Sequence, residues 1–199
     1  MDMELLAQQV LKNIFIELEA SGRHVHVTKE QALALFGHDL TPERPLSQPG
    51  QFLAKERVNV LGPKGKFENV AVLGPARKQA QVEISLTDGR TLGIQPPVRL
   101  SGDVANSPGL TLRGEKGQVV LRQGAIVAKR HIHMTPADAE GLGVTNGEVV
   151  KVLVKSERTT IFDDVVVRVS PSYALAMHID TDECNAAGAF GTVYGEVIL

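Results

Sequence analysis

The feature that most constrains this chain is a block that occurs twice. Arg23-His24-Val25-His26-Val27-Thr28 returns as Arg130-His131-Ile132-His133-Met134-Thr135, with Ala32 and Leu35 answered by Ala139 and Leu142. A second pair aligns without gaps, Phe67-Glu68-Asn69-Val70-Ala71-Val72 against Phe162-Asp163-Asp164-Val165-Val166-Val167. Carried forward, that register sets Ile84 against Ile179, Gly93 against Gly188 and Glu83 against His178. Self-similarity of this length implies two copies of one supersecondary unit. His24 and Glu83 lie 59 positions apart, but His131 and His178 only 47. The surplus of about 12 fits Gly37 to Gln51, where Pro42, Pro45, Pro49 and Gly50 argue against any regular element.

Local signals fill in the unit. Ile14 to Leu18 and Val25 to Val27 read as extended. Thr28 then caps a short helix, with Gln31 as capping-box partner and Gly37 as its stop. In the second copy Thr135 caps, Pro136 takes the first helical position and Asp138 supplies the acid. Strands are expected at Val58 to Leu61, Val70 to Leu73, Gln81 to Leu86, Val119 to Leu121, Glu148 to Val154, Val165 to Val169, Ala174 to Ile179 and Thr192 to Ile198. Asp88-Gly89 and Asn146-Gly147 read as turns between such runs. Many short strands, few helices and 19 glycines predict a mostly β fold, two small β-barrels with short capping α-helices. A helix at about Met3 to Lys12 precedes them.

The repeat concentrates one kind of chemistry. A His-x-His on a strand sends both imidazoles to one face, about 7 Å apart at the backbone, a reach that suits two ligands on one metal. Each half then has a third candidate at the same repeat position. His24, His26 and Glu83 would supply two nitrogens and an oxygen; His131, His133 and His178 would supply three nitrogens. Three protein ligands with a fourth position open is the pattern of catalytic zinc, although manganese, iron and nickel accept the same donors. A single His-x-His is as readily a surface or hydrogen-bonded structural pair. Here five of six histidines fall on the proposed positions, and only His38, in the insertion, does not.

Other residues carry weaker signals. Arg77 follows Gly74-Pro75-Ala76 and precedes Glu83 by six residues, where its guanidinium would make a fork for phosphate or carboxylate, or else a surface charge. Lys55, Arg57, Lys64, Lys66, Arg77, Lys78, Lys129 and Arg130 either receive an anionic small molecule or are scattered surface charge. Cys184, the only cysteine, reads as buried and inert rather than nucleophilic and fits a reducing, cytoplasmic compartment. A formal charge of -2 makes no case for nucleic acid or membrane as partner. No apolar run approaches a membrane span, and Met1-Asp2-Met3-Glu4 lacks the basic start of a signal peptide. Walker, G-x-S-x-G, G-x-G-x-x-G and C-x-x-C motifs are absent, which leaves nucleotide-loop, serine-hydrolase and Rossmann readings without support.

Three segments together resemble one family. Ser21-Gly22-Arg23-His24-Val25-His26, then Gly74-Pro75-Ala76-Arg77 through Gln81-Val82-Glu83-Ile84-Ser85, then Arg130-His131-Ile132-His133-Met134 are similar to the PduL-type phosphate acyltransferases (phosphate propanoyltransferase), and the likeness runs from about Ile14 to Leu199. The resemblance implies two interleaved β-barrels: residues 13–22 and 129–199 form one, and residues 23–128 the other, with an insertion near 37–57. It also implies two Zn2+ per chain on the two triads, Arg77 as the phosphate-binding residue, and Ser21, Leu73 and Asn185 in the coenzyme A pocket. The implied reaction interconverts a short-chain acyl-CoA (propanoyl or acetyl) plus phosphate with acyl phosphate plus CoA, by direct attack of phosphate on the thioester. A homo-oligomer, and shell or lumen partners inside a bacterial microcompartment, are left open by the resemblance. Residues 1–12, with the partial stripe Met3, Leu5, Leu6, Val10, Leu11 and Ile14, read either as a targeting helix or as a docking helix of the protein's own core. Two rival functions use the same ligands: a dinuclear metallohydrolase such as a thioesterase, and a metal-binding module without catalysis.

Overall fold

The computed structural model describes residues 15–198, so the expected helix at Met3 to Lys12 lies outside the described residues. The described fold is mostly β, with fifteen strands and four short helices. It divides into two compact units: Gly22–Ala128, and Lys129–Leu199 joined by the described part of Met1–Ser21.

The latter unit is a closed barrel of six strands. They are β1 (Ile16–Ser21), β11 (His131–Met134), β12 (Val149–Lys155), β13 (Thr160–Val169), β14 (Ala176–Asp180) and β15 (Val193–Ile198), in the order β1-β14-β11-β13-β12-β15. Its core is Ile16, Leu18, Ile132, Met134, Val152, Val165, Val167, Met177, Ile179 and neighbours, the inward set of a period-two alternation. The other unit repeats the central order. β10 (Ala125–Ala128), β6 (Gln81–Glu83), β2 (His24–His26), β5 (Lys66–Gly74) and β4 (Phe52–Leu61) stand in that sequence, packed around Val25, Val27, Val58, Val72, Val82 and Leu112.

The two units exchange their leading strands. β1 runs directly into the first His-x-His, yet it pairs in parallel with β14 of the barrel, Leu18 opposite Met177 and Glu19 opposite His178. β10 runs into the second His-x-His, yet it pairs in parallel with β6, Ala125 opposite Val82 and Ile126 opposite Glu83. Closure is where the copies differ. In the barrel β15 is antiparallel to both β12 and β1 and seals the seam. The corresponding β7 (Val98–Arg99) has two residues and pairs only with β10, while β8 (Thr111–Arg113) and β9 (Gln118–Val120) extend the far edge beyond β4. That sheet curls without closing.

Each copy has a helix after its His-x-His strand and another after its third-ligand strand: α1 (Lys29–Phe36), α2 (Leu86–Leu92), α3 (Pro136–Leu142) and α4 (Thr181–Ala187). All four start with a reciprocal capping box, Thr28/Gln31, Ser85/Asp88, Thr135/Asp138 and Asp180/Glu183. Gly93 and Gly188, aligned by the repeat, both end their helices with positive φ. Asn69 and Asp164, also aligned, are left-handed at the same point of β5 and β13, where the ladder shifts register.

Two sequence expectations are corrected. The strand from Gln81 stops at Glu83, and Asp88-Gly89 lies inside α2 rather than in a hairpin turn. The overriding signal is Ser85-x-x-Asp88, which satisfies the first N–H groups of a helix. The proline-rich insertion also contains regular structure, since β3 (Pro42–Pro45) pairs with β4 at Phe52–Ala54. It does so at a sheet edge, where a proline lacking its N–H costs no ladder bond. No helix among the described residues is long and apolar enough to cross a membrane.

Candidate metal centres

The first triad follows from strand alternation. Val25 and Val27 point into the core, so His24 and His26 leave the sheet on its other face. β6 runs antiparallel to β2 and sets Glu83 opposite His24, and Gln81 opposite His26. All three ligand candidates are buried, and their donor atoms lie within 4.8 Å of one another. His24 Nε2 and His26 Nε2 stand 3.4 and 3.5 Å from Glu83 Oε1. Two donors at about 2.1 Å from a tetrahedral ion are separated by roughly 3.4 Å, so these two separations suit a metal ion. Tautomers agree. His24 Nδ1 donates to the Gly22 carbonyl at 2.8 Å and His26 Nδ1 to the Leu73 carbonyl at 3.2 Å, which turns each Nε2 lone pair toward the centre.

The charges are set by burial and contact. Burial pushes the His26 imidazole down to about 4, against hydrogen bonding to Glu83. Burial acts on His24 too, but the Glu83 carboxylate outweighs it and raises that residue above its ordinary value. Glu83 would be raised by burial, yet His24 and then His26 hold it well below the usual carboxylate range. Without metal the Glu83 carboxylate therefore holds a proton on His24 to higher pH than an ordinary imidazole would. The imidazolium favours the metal-free fold fully below about pH 6.5 and loses that effect as pH rises through its raised value. A metal must displace this proton, so we expect binding at about pH 6 to release close to one proton per ion, and at about pH 9 far fewer. Calorimetry in buffers of different ionisation enthalpy reads that number directly.

A polar bracket surrounds Glu83. Gln81, 2% exposed, donates through Nε2 to Glu83 Oε1 at 2.5 Å and to Ser101 Oγ at 2.8 Å, and its Oε1 accepts from Gly102 N–H at 2.7 Å. Ser101 Oγ donates to Glu83 Oε1 at 3.1 Å and accepts from Arg77 Nη1 at 3.2 Å. The Arg77 backbone N–H donates to Val27 at 2.9 Å, which fixes the start of the side chain. Arg77 is close enough to lower both His24 and His26 electrostatically. Ser101 and Gln81 were not singled out by the sequence. Gln81 could have been, since it shares a strand face with Glu83; Ser101 comes from a loop with no periodic signal.

The second triad is built the same way with different surroundings. Ile132 and Met134 are core residues, so His131 and His133 face away, and antiparallel β14 sets His178 opposite His131. The ring centroids are 4.6 Å (His131–His133), 5.2 Å (His131–His178) and 5.0 Å (His133–His178) apart. His131 Nδ1 donates to the Lys129 carbonyl at 2.8 Å, as His24 does to Gly22. Three nitrogen donors within 4.8 Å likewise fit a divalent metal. The Tyr173 ring lies 4.2 Å from the His133 ring, and Glu19 Oε2 is 3.6 Å from His178 Nδ1. Of the two acids in β1, Glu17 is exposed and Glu19 faces the triad. The repeat positions of Arg77 and Gln81 are Ser172 and Ala176, so the residues of this bracket are not repeated at the aligned positions of the second copy.

Other sequence candidates fall as follows. Ser21 ends β1, half-buried and paired with Asp180; Asn185 is exposed on α4; Leu73 is half-buried on β5 and accepts the His26 bond. Cys184 is buried, and burial together with Asp180 and Glu183 pushes its thiol up to about 11. His38 is exposed, donates to Asp39 and lies 3.7 Å from Glu56. Much of the basic set is paired: Arg57 with Glu43, Lys66 with Glu68, Lys129 with Asp164 and Arg130 with Glu183.

Fold and triads define a duplicated, mostly β protein with two buried sites able to hold metal ions. Residues 17–190 match the model of the phosphate propanoyltransferase family. The chain is 53% identical over 198 residues to the phosphate propanoyltransferase of Listeria monocytogenes, covering 98% of this chain and 93% of that one. It is 56% identical to that of Enterococcus faecalis (91% and 86% covered) and 52% identical to that of Thermotoga maritima (90% and 87% covered). The chain belongs to the phosphate propanoyltransferase family.

Proposed function

We propose that this protein transfers a propanoyl group between coenzyme A and inorganic phosphate, using zinc on both triads. The observation that carries the reading is the Arg77–Ser101–Glu83 chain, which ties a guanidinium suited to an anion to a carboxylate suited to a metal. Ions on the two triads would supply Lewis-acid polarisation of the thioester carbonyl and, at His24, His26 and Glu83, stabilisation of the departing thiolate. Arg77 binds phosphate through the planar fork of its guanidinium, which matches two oxygens of a tetrahedral anion and orients the third. An oxygen of hydrogen phosphate attacks the thioester carbon, the C–S bond breaks, the phosphate's proton ends on the departing thiolate, and the products are propanoyl phosphate and CoA. Arg77 faces the negative charge that develops during attack. Cys184 takes no part, since a buried thiol with its acidity so weakened is not a nucleophile at neutral pH. Transfer is direct, with no acyl-enzyme.

Ser21, Leu73 and Asn185 contact coenzyme A in this reading; each has at least partial solvent exposure, as a residue lining a substrate pocket requires. Residence in a microcompartment rests on the family resemblance and on a segment outside the described residues. Phosphorus-31 resonance tests the reaction: propanoyl-CoA and phosphate should give acyl phosphate in step with free thiol. Thiol release accompanied only by free propanoate would instead establish the thioesterase.

A further inference from the structure

Each His-x-His is preceded by an arginine, Arg23 or Arg130, and neither takes part in the reaction described above. Both engage a helix-capping carboxylate and a phenylalanine ring, Arg23 through two bonds and Arg130 through its Nε. Arg23 Nε and Nη2 donate to the two carboxylate oxygens of Asp88, at 3.1 and 2.7 Å, while its guanidinium lies 4.1 Å from the Phe67 ring centroid. Asp88 is the capping-box acid of α2 and accepts from Ser85 N–H at 3.3 Å, two residues after Glu83. In the barrel Arg130 Nε donates to Glu183 Oε1 at 2.8 Å and its guanidinium lies 5.3 Å from the Phe162 ring. Glu183 is the capping-box acid of α4 and accepts from Asp180 N–H at 3.0 Å, two residues after His178.

We propose that Arg23 and Arg130 are positioning residues, each locking the strand that bears two ligands to the turn that follows the third. The covalent path between those ligands is long, 59 residues in one copy and 47 in the other. Strand pairing already sets His24 opposite Glu83 and His131 opposite His178, and the clamp adds a second short link through side chains: ligand, arginine, helix-capping carboxylate, turn, ligand. Its parts are aligned by the duplication, Arg with Arg, Phe67 with Phe162 and acid with acid. The third ligand differs, Glu83 in one copy and His178 in the other, and Arg77 and Gln81 are replaced by Ser172 and Ala176 at the aligned positions. A clamp present in both copies beside different ligand sets is tied to geometry that the copies share, the fixed spacing of three donors. A planar fork on a stacked guanidinium fixes direction as well as distance, which an ammonium cannot.

The inference rests on the triads being metal sites, and the test separates the two. Each triad is isolated by removing a ligand from the other, with His133→Ala leaving the first and His26→Ala leaving the second. Cobalt(II) affinity is then measured by absorption titration against a competing chelator. Arg23→Lys keeps a charge opposite buried Asp88 and preserves the fold. It should weaken cobalt at the first triad on the order of tenfold, with Arg23→Ala nearer 100-fold, and leave the second unchanged. Arg130→Lys should do the reverse. Lysine variants that melt early without metal yet bind cobalt with undiminished affinity would overturn the proposal in favour of a structural clamp. A wild-type protein that binds no cobalt would overturn the metal reading and the clamp with it.

Discussion

Replacing Glu83 by glutamine should remove one metal ion per chain and lower acyl transfer by about 10³-fold, the scale of the several kcal/mol a Lewis-acidic ion contributes. The substitution is nearly isosteric, so packing changes little. Its electrical effect is large. Glu83 is buried, yet His24 and His26 hold it ionised, and it is in turn the group that raises His24. An amide oxygen is a poor substitute for a carboxylate on a divalent ion, and burial then acts on His24 against its bond to the Gly22 carbonyl alone. The second triad has no share in this circuit and should keep its ion. Elemental analysis of the purified variant should find one metal equivalent where the wild type has two. A variant that keeps both ions and full activity would contradict the role given to Glu83.

Arg77→Ala should lose about 10²- to 10³-fold in kcat, the usual scale for removing one donor from a developing charge, and should raise the KM for phosphate. Metal content should not change, because Gln81 and Ser101 still hold Glu83 through its Oε1. Arg77→Lys should recover only part of the loss, since a point charge attracts phosphate without orienting it. An unchanged KM for phosphate, with only the affinity for propanoyl-CoA altered, would assign Arg77 to the coenzyme instead.

The duplication made much of this legible before any coordinates. His24 stands opposite Glu83 and His131 opposite His178 in the ladders. The gap-free register of the repeat therefore coincides with the spatial register of the triads, and reading one gave the other. The capping residues at Thr28 and Thr135 were equally plain, because their signals are local. What escaped was either very short or long-range. α2 and α4 have seven residues each, too few for helical periodicity to emerge, and Asp88-Gly89 imitates a hairpin turn. Ser101 reaches Glu83 across 18 positions from an irregular segment. The opening of one sheet depends on β7 being two residues long, which no pattern in Val98-Arg99 announces. The facing of Glu19 toward His178 required knowing that β1 joins the strand ladder of the other copy.

The central claim is that metal and phosphate are both needed to cleave the thioester. Free-thiol release from propanoyl-CoA, followed with and without phosphate, before and after chelation and zinc restoration, tests it most directly. The account predicts rapid release only when phosphate and metal are present together, lost on chelation and regained with zinc. Release that proceeds equally without phosphate, or that survives complete removal of metal, would contradict it.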